Sequence, residues 1–374
     1  MRRLIYKFVL YVNIFLVILL LLSYLAVFIS PEKNWPVAFL GLAYPYLLFA
    51  NIIMMFFWLL YRKKAFFLSL IIIILGWSIL TSYIQINFKF LNKKEMRQML
   101  TREDRSNKNT LKVLTYNVRA FNQYNWAQNI QAKDSIFKFL IRENPDVICF
   151  QEYFAQDVGL FTVRDLYKLL EQTPYKHVYY TIGEQSNYHY GIATFSSYPI
   201  TGKGIIRFEN TVNTCIHTDI AFHDDTIRIF NNHLQSIYFN ASNYTFFDSL
   251  GTRYTEQQLN EILDISYRLK DAFIKRAGQA DIISAQISKS PYPVIVCGDF
   301  NDTPSSYTYR KMKKGLSDSF VQSGSGIGNT YSGSFPSFRI DYIFHSPEME
   351  SLYNETVKIP LSDHFPVISY LQLR

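Results

Sequence analysis

The chain has 374 residues, a hydrophobic share of 49%, an aromatic share of 17% and a formal net charge of +8, enough for one large domain and something more. The charge is uneven: residues 1–110 hold 14 basic against 4 acidic groups, and the remainder 24 against 26. The C-terminal part therefore lacks the broad basic footprint of a nucleic-acid surface, although a local basic patch stays open.

Three uncharged apolar stretches occupy residues 8–29, 35–61 and 65–88. A helix needs roughly 20 apolar residues to cross the hydrocarbon core. Residues 1–88 are thus expected to form a membrane anchor of three transmembrane helices. The first stretch is too long for a signal peptide, and no small-residue cleavage pattern precedes Pro31. Pro45 predicts a kink in the second. None of the three carries an internal charge, which argues for an anchor and against a transport path.

Arg2, Arg3 and Lys7, with Arg62, Lys63 and Lys64, outweigh the single Lys33 of the first loop. This places the N-terminus inside a bacterial-type inner membrane and the C-terminal domain on the extracytoplasmic side. Lys89, Lys93, Lys94, Arg97, Arg102, Arg105 and Lys108 argue the other way, but large domains cross largely regardless of charge. Residues 89–110 read as a juxtamembrane linker and 111–374 as the second domain. Cys149, Cys215 and Cys297 lie in apolar runs and are expected to be buried free thiols.

Residues 111–118 alternate as a strand ending near Asn117. Residues 130–143 have helical spacing closed by Asn144-Pro145, and 146–150 form a buried strand that delivers Gln151-Glu152. A short helix is expected at 164–170 and a strand at 190–196. Paired strands follow at 215–222 and 226–232, the second ending in Asn231-Asn232-His233. Residues 255–288 are helical by period and lead into the strand 294–298.

That strand, V-I-V-C-G, ends at a glycine expected to turn the backbone and leave room for a ligand. Asp299 and Asn301 follow, two apart and expected to point the same way. Taken alone, G-D-F-N is as well read as an Asx turn without chemistry. Residues 323–328 are glycine-rich, but without a strand before and a helix after they make no phosphate cradle. Residues 339–344 read as a strand with Arg339 and Asp341 on one face. Ser362-Asp363-His364 precedes a last strand at 367–373.

Polar groups thus arrive repeatedly at the ends of apolar strands: T-Y-N-V, F-Q-E, N-H-L, G-D-F-N, R-I-D-Y-I-F and S-D-H-F-P-V. In this order the six motifs resemble the endonuclease/exonuclease/phosphatase superfamily, over about residues 111–373. The resemblance implies an α/β fold, a four-layer sandwich of two central mixed β-sheets flanked by helices, with the polar tips on one rim. It also implies divalent-metal hydrolysis of a phosphoester.

The residue chemistry agrees, because water attacking an anionic phosphodiester needs that charge neutralised. Hard Mg2+, or Mn2+, with oxygen ligands suits the task. Glu152 is the leading metal ligand, with Asn117 beside it as ligand or support and Asp363 for a second ion or for shaping its loop. By resemblance, Asp299 orients or deprotonates the water and Asn301 holds a phosphate oxygen. His364, oriented by Asp341, contacts phosphate, and His233 donates to phosphate or the leaving group. Arg339 is a substrate-binding candidate, with a structural ion pair as its alternative. His177, His189, His217, His223 and His345 match no motif; His189 is the nearest to an exception.

Tyr153 and Phe154 follow Gln151-Glu152 where abasic-site nucleases carry a lysine, and inositol-polyphosphate phosphatase signatures are missing. Nucleic acid and a phospholipid or sphingolipid head group both remain open as substrate, the lipid bilayer is the other expected partner, and no protein partner is implied. The competing class is a catalytically inactive, membrane-anchored binding protein on the same fold. Retention of every acid, amide and imidazole of the pattern speaks against it.

Overall fold

The computed structural model describes residues 2–87, 105, 109–122, 132–159, 162–183, 187–237, 256–333 and 338–374. Most of the expected linker, including most of its basic residues, lies outside the described residues, as do the first positions of the helices expected from 130 and 255.

Alternating apolar residues build two six-stranded sheets. The first runs β13 (Met349–Thr356), β14 (Val367–Leu373), β2 (Thr110–Asn117), β3 (Val147–Gln156), β5 (Tyr188–Ser196) and β4 (Tyr175–Ile182). The second runs β10 (Ser317–Asp318), β12 (Asp341–His345), β9 (Val294–Asp299), β8 (Asp225–His233), β7 (Thr214–Phe222) and β6 (Ile200–Arg207). Each is mixed, with one parallel pair, β2 with β3 and β8 with β9. Parallel neighbours need a crossover. The helices supplied between them are Ala132–Glu143 and Glu256–Ile287.

The sheets face each other across a dry layer that includes Val113, Cys149, Ile229, Ile295, Cys297 and Ile343. Ile136, Phe137 and Leu140 of the first crossover helix cover the outside of one sheet. Ala280, Ile283 and Ile287 of the second, with Tyr309 and Met312, cover the other. All three cysteines are buried and free, as expected.

This topology explains why the motifs recur. Asn117 and Gln151 are register partners at the C-terminal ends of one parallel pair, and His233 and Asp299 at the ends of the other. Strands β12 and β14 run antiparallel to these. Their starts, preceded by His364 in one case, therefore lie at the same edge as the parallel strands' ends.

The N-terminal region departs from expectation. Among the described residues, only one helix, Arg3–Val27, is long and apolar enough by itself to cross a membrane. The other two apolar stretches are broken: Pro36–Leu42 meets Tyr44–Leu60 at 58°, and Phe66–Leu75 meets Trp77–Tyr83 at 72°. There are thus up to three spans, if each bent pair counts as one, and not three straight helices. The first bend falls at Ala43, with Pro45 in the first turn of the helix that follows, where its missing N–H costs nothing.

Tertiary contacts account for both bends. Phe39 packs edge-on against Phe273 of the long crossover helix, and Ala38 and Leu42 join it on Ile265 and Leu269. Tyr83 shares a 2.6 Å hydrogen bond with Ser305, whose hydroxyl also donates to the Gly41 carbonyl at 2.7 Å. Strand β1 (Ile84–Gln85) pairs with β11 (Gly326–Ile327), so part of the glycine-rich 323–328 stretch becomes a docking strand.

Candidate active site

Asn117 sits at the centre of the rim. Its amide nitrogen donates to Glu152 Oε1 at 3.1 Å and to Asp299 Oδ2 at 3.0 Å, while its oxygen accepts from the Arg119 backbone N–H at 3.1 Å. Of the two roles expected for Asn117, ligand or support, these bonds are of the supporting kind: its amide ties two carboxylates together. Glu152 reaches the rim through a bulge. Strand β3 gains one residue against β5 between Phe150 and Tyr153, and Glu152 takes φ 50°. Its neighbour Gln151 points between the sheets instead, donating to Asn231 Oδ1 at 2.6 Å.

Gly298 turns the backbone as expected, but the room it leaves has a different use from the expected one. At φ 127° it takes a conformation that favours glycine, and a Cβ would collide with the backbone of Asn232 on β8. The space serves the neighbouring strand, not a ligand. Asp299 then accepts from the Asn301 N–H at 2.8 Å, and the Asn301 amide donates to the Leu234 carbonyl at 3.1 Å.

His364 Nδ1 lies 3.0 Å from Asp341 Oδ2, and its Nε2 lies 3.7 Å from Asp299 Oδ2. His233 Nε2 is 3.8 Å from Glu152 and 3.9 Å from Asp299, is buried, and has no hydrogen-bond partner among the described residues. Asp363 meets Arg119 Nε at 3.4 Å.

Burial raises the Glu152 carboxyl above its ordinary range, and the Asp363 charge adds to this. Burial likewise pushes Asp299 up to about 6, against the pull of His364. Burial lowers His233. It opposes charge on His364 too, but Asp341 and Asp299 outweigh it and hold that imidazole well above its usual range. The two histidines thus have opposite characters: His364 is a cationic donor and His233 a neutral base. Crowded carboxylates that resist ionisation, beside an unpartnered buried ring nitrogen, form a donor set suited to a divalent cation. Asp299, Asp341 and His364 present atoms within 4.8 Å of one another.

Of these groups, Arg119, Glu152, Asp299, Asn301, Asp363 and His364 line a hollow of about 310 Å3, while Asn117, His233 and Asp341 are not part of its lining. Sequence reasoning missed two parts of its wall. Arg119 enters from a four-residue left-handed turn, Arg119–Asn122, which no local motif signals. Leu42, Leu269, Phe273 and Ile237 form an apolar side, which depends on the N-terminal helices being docked. Arg339, the expected phosphate contact, is elsewhere. It lies before β12 and not on one face with Asp341. It is buried, forks onto Asp318 at 2.6 and 2.8 Å, and donates to the Ser82 carbonyl. The structural alternative holds. None of His177, His189, His217, His223 and His345 lines the hollow; His189 instead pairs with Asp157 at 2.9 Å.

The comparisons with known proteins agree with this geometry. Residues 114–364 match the Endonuclease/Exonuclease/phosphatase family, and residues 6–83 match a domain of unknown function, DUF8431. No curated protein matches the chain in sequence. Among solved structures, an endonuclease/exonuclease/phosphatase from Beutenbergia cavernae is 16% identical, with a TM-score of 0.51 over 71% of this chain and 72% of that one. A family protein from Bacteroides thetaiotaomicron is 18% identical, with a TM-score of 0.51 over 71% of this chain and 98% of that one. At such identities the likeness speaks for the fold alone. The family match covers more than half of the chain and includes the residues gathered on the rim, so this chain belongs to the Endonuclease/Exonuclease/phosphatase family, whose members are hydrolases acting on phosphoesters.

Proposed function

We propose that the protein is a membrane-anchored, divalent-metal-dependent phosphodiesterase. The observation that carries this reading is the meeting of Glu152, Asp299 and His364, from both sheets, around one hollow, with His233 Nε2 3.8 Å from Glu152 and 3.9 Å from Asp299. Glu152 and Asp363 are the residues that would hold Mg2+ or Mn2+, which supplies charge neutralisation at the phosphate. Asp299, with its raised proton affinity, accepts the proton of the attacking water. His364 donates Nε2–H to a phosphate oxygen or the leaving group, and Asp341 keeps the ring charged and oriented. The Asn301 amide has a second N–H to offer phosphate beyond the one held by Leu234. His233 accepts or relays a proton at Nε2.

The inverted polarity of the N-terminal helices supports anchoring. Apolar side chains face outward, while Asn13 donates to Ser69 at 2.8 Å and accepts from Trp58 at 2.8 Å inside. The arrangement favours an amphiphilic phosphoester, such as a lipid head group, over nucleic acid. One wall of the hollow is apolar, and both of its arginines are already held by acids, Arg119 by Asp363 and Arg276 by Asp302. The two basic flanks, Arg2, Arg3 and Lys7 and then Arg62, Lys63 and Lys64, favour an N-terminus inside and the enzyme outside the cytoplasm, against the basic residues of 89–108.

The test is release of p-nitrophenol from bis-p-nitrophenyl phosphate by the full-length protein, with Mg2+ and with chelator, against Glu152→Ala. Metal-dependent release lost in the variant supports the enzyme; no release points to the binding protein. A panel of DNA, RNA, sphingomyelin and glycerophospholipids follows. Cleavage of DNA with lipids untouched removes the lipid half of the reading.

A further inference from the structure

A second, larger cavity of about 750 Å3 opens where the N-terminal helices meet the catalytic domain, away from the rim. One side is apolar: Tyr24, Val27 and Phe28 at the end of the long helix, with Leu75 and Ile79 at the second bend. The other side is the short helix Tyr307–Met312 and the turn after it, carrying Arg310, Lys311, Lys313 and Lys314. No acidic residue lines it among the described residues.

The four cations differ in what holds them. Lys311 is tied to Asp281 at 2.6 Å. Arg310 lies over the Phe28 ring at 4.1 Å and Lys313 over Tyr309 at 5.3 Å. Among the described residues, none of Arg310, Lys313 and Lys314 forms an ion pair. Three unpaired cations in one partly enclosed cavity repel each other and gain from an anion between them. A solvated surface run would face water on all sides, whereas here the facing wall is apolar.

Position identifies the anion's source. The outward apolar belt of the first helix extends from Leu4 to Phe28. Lys7 and Lys63 lie at its far end, where Lys63 sits over the Tyr6 ring. The cavity lies at the other end, where a bilayer surrounding the belt would present its head groups. We propose that this cavity binds an anionic glycerophospholipid, its phosphate among Arg310, Lys313 and Lys314 and an acyl chain along Val27, Leu75 and Ile79. Such a lipid would clamp the bent helices to the catalytic domain at a point the chemistry does not use. The inference rests on the anchoring half of the function proposed above and is independent of the reaction.

The experiment uses the full-length protein in neutral detergent. Dioleoyl phosphatidylglycerol, dioleoyl phosphatidylcholine or inorganic phosphate is added, with native mass spectrometry and thermal unfolding as readouts. Phosphatidylglycerol is expected to give a retained adduct and a Tm several degrees higher, with the gain shrinking in high salt. Phosphatidylcholine should give neither. The triple variant Arg310→Gln, Lys313→Gln, Lys314→Gln should weaken the adduct by about tenfold or more, with turnover of bis-p-nitrophenyl phosphate unchanged. Equal retention of the two lipids by the unaltered protein overturns the proposal whether or not the triple variant folds. So does an equal Tm gain from inorganic phosphate, which would mark a plain anion site. The single exposed change Lys314→Glu provides a milder variant, expected to weaken the phosphatidylglycerol adduct alone.

Discussion

In the N-terminal bundle Asn13, Asn51 and Ser69 are fully buried, while Leu4, Phe8 and Leu60 are 77%, 68% and 82% exposed. In the sandwich Val113, Ile229 and Ile295 are fully buried and polar groups gather at one edge. The sandwich is organised by expulsion of water from apolar faces. The bundle hides hydrogen-bonding groups and exposes apolar ones, the arrangement suited to a solvent as apolar as leucine. The two regions meet at Ser82, Tyr83 and Gly41, where hydrogen bonds to Ser305, Tyr309 and Arg339 join them. Ser82, Ser305, Tyr309 and Arg339 are buried, so these polar groups find their partners inside the protein.

Sharpest would be a test of where the chemistry resides. Glu152→Ala and His364→Ala should each lower turnover of bis-p-nitrophenyl phosphate by about 10²–10⁴-fold, with Tm nearly unchanged. The same loss from a change inside the bundle would break the division of labour.

At the junction, Arg339→Ala should destabilise the protein by about 3–5 kcal/mol, because it strands Asp318 as an unpaired buried charge. Thermal unfolding measures this, and activity per folded molecule should survive. Arg339 holds the Asp318 carboxyl below its ordinary range despite burial. The pair's contribution is therefore complete above the unfolded-state value of about 3.9 and is lost as pH falls through the lowered folded value. Asp318→Asn should remove that acid limb from the stability profile.

A matched pair of core substitutions probes the opposite polarities directly. Val113→Asn should cost roughly 3 kcal/mol or more in the sandwich. Asn13→Leu in the bundle should cost only about 0.6–1.7 kcal/mol, the loss being the Trp58 N–H left without its acceptor, while Ser69 keeps its bond to Asn51. Tm of the two variants in one detergent decides it, and a larger loss for Asn13→Leu would mean that the bundle is ordered as a water-soluble core.

The smallest expected effect lies where the bundle touches the hollow. Leu42→Ala should raise KM for an amphiphilic phosphodiester a few-fold and leave KM for bis-p-nitrophenyl phosphate alone. Equal changes for both substrates would show that the apolar wall does not read a tail.

The sequence by itself determined the strands that carry the polar tips, whereas β4, β6 and β13 went unread. An alternating or short apolar run ending in Asn117, Glu152, His233 or Asp299 is local information, and β14 was legible to the residue, but the bulge that brings Glu152 to the rim was not. It also determined the apolar character of residues 8–88. What only the tertiary structure decided depends on partners distant in the chain. Arg339 and Asp341 are two residues apart, yet one turns to Asp318 and the other to His364, because the strand begins only at Asp341. The second and third apolar stretches bend because Phe39 and Tyr83 find Phe273 and Ser305. Hydropathy records how much a residue avoids water, and cannot record which surface it finds instead.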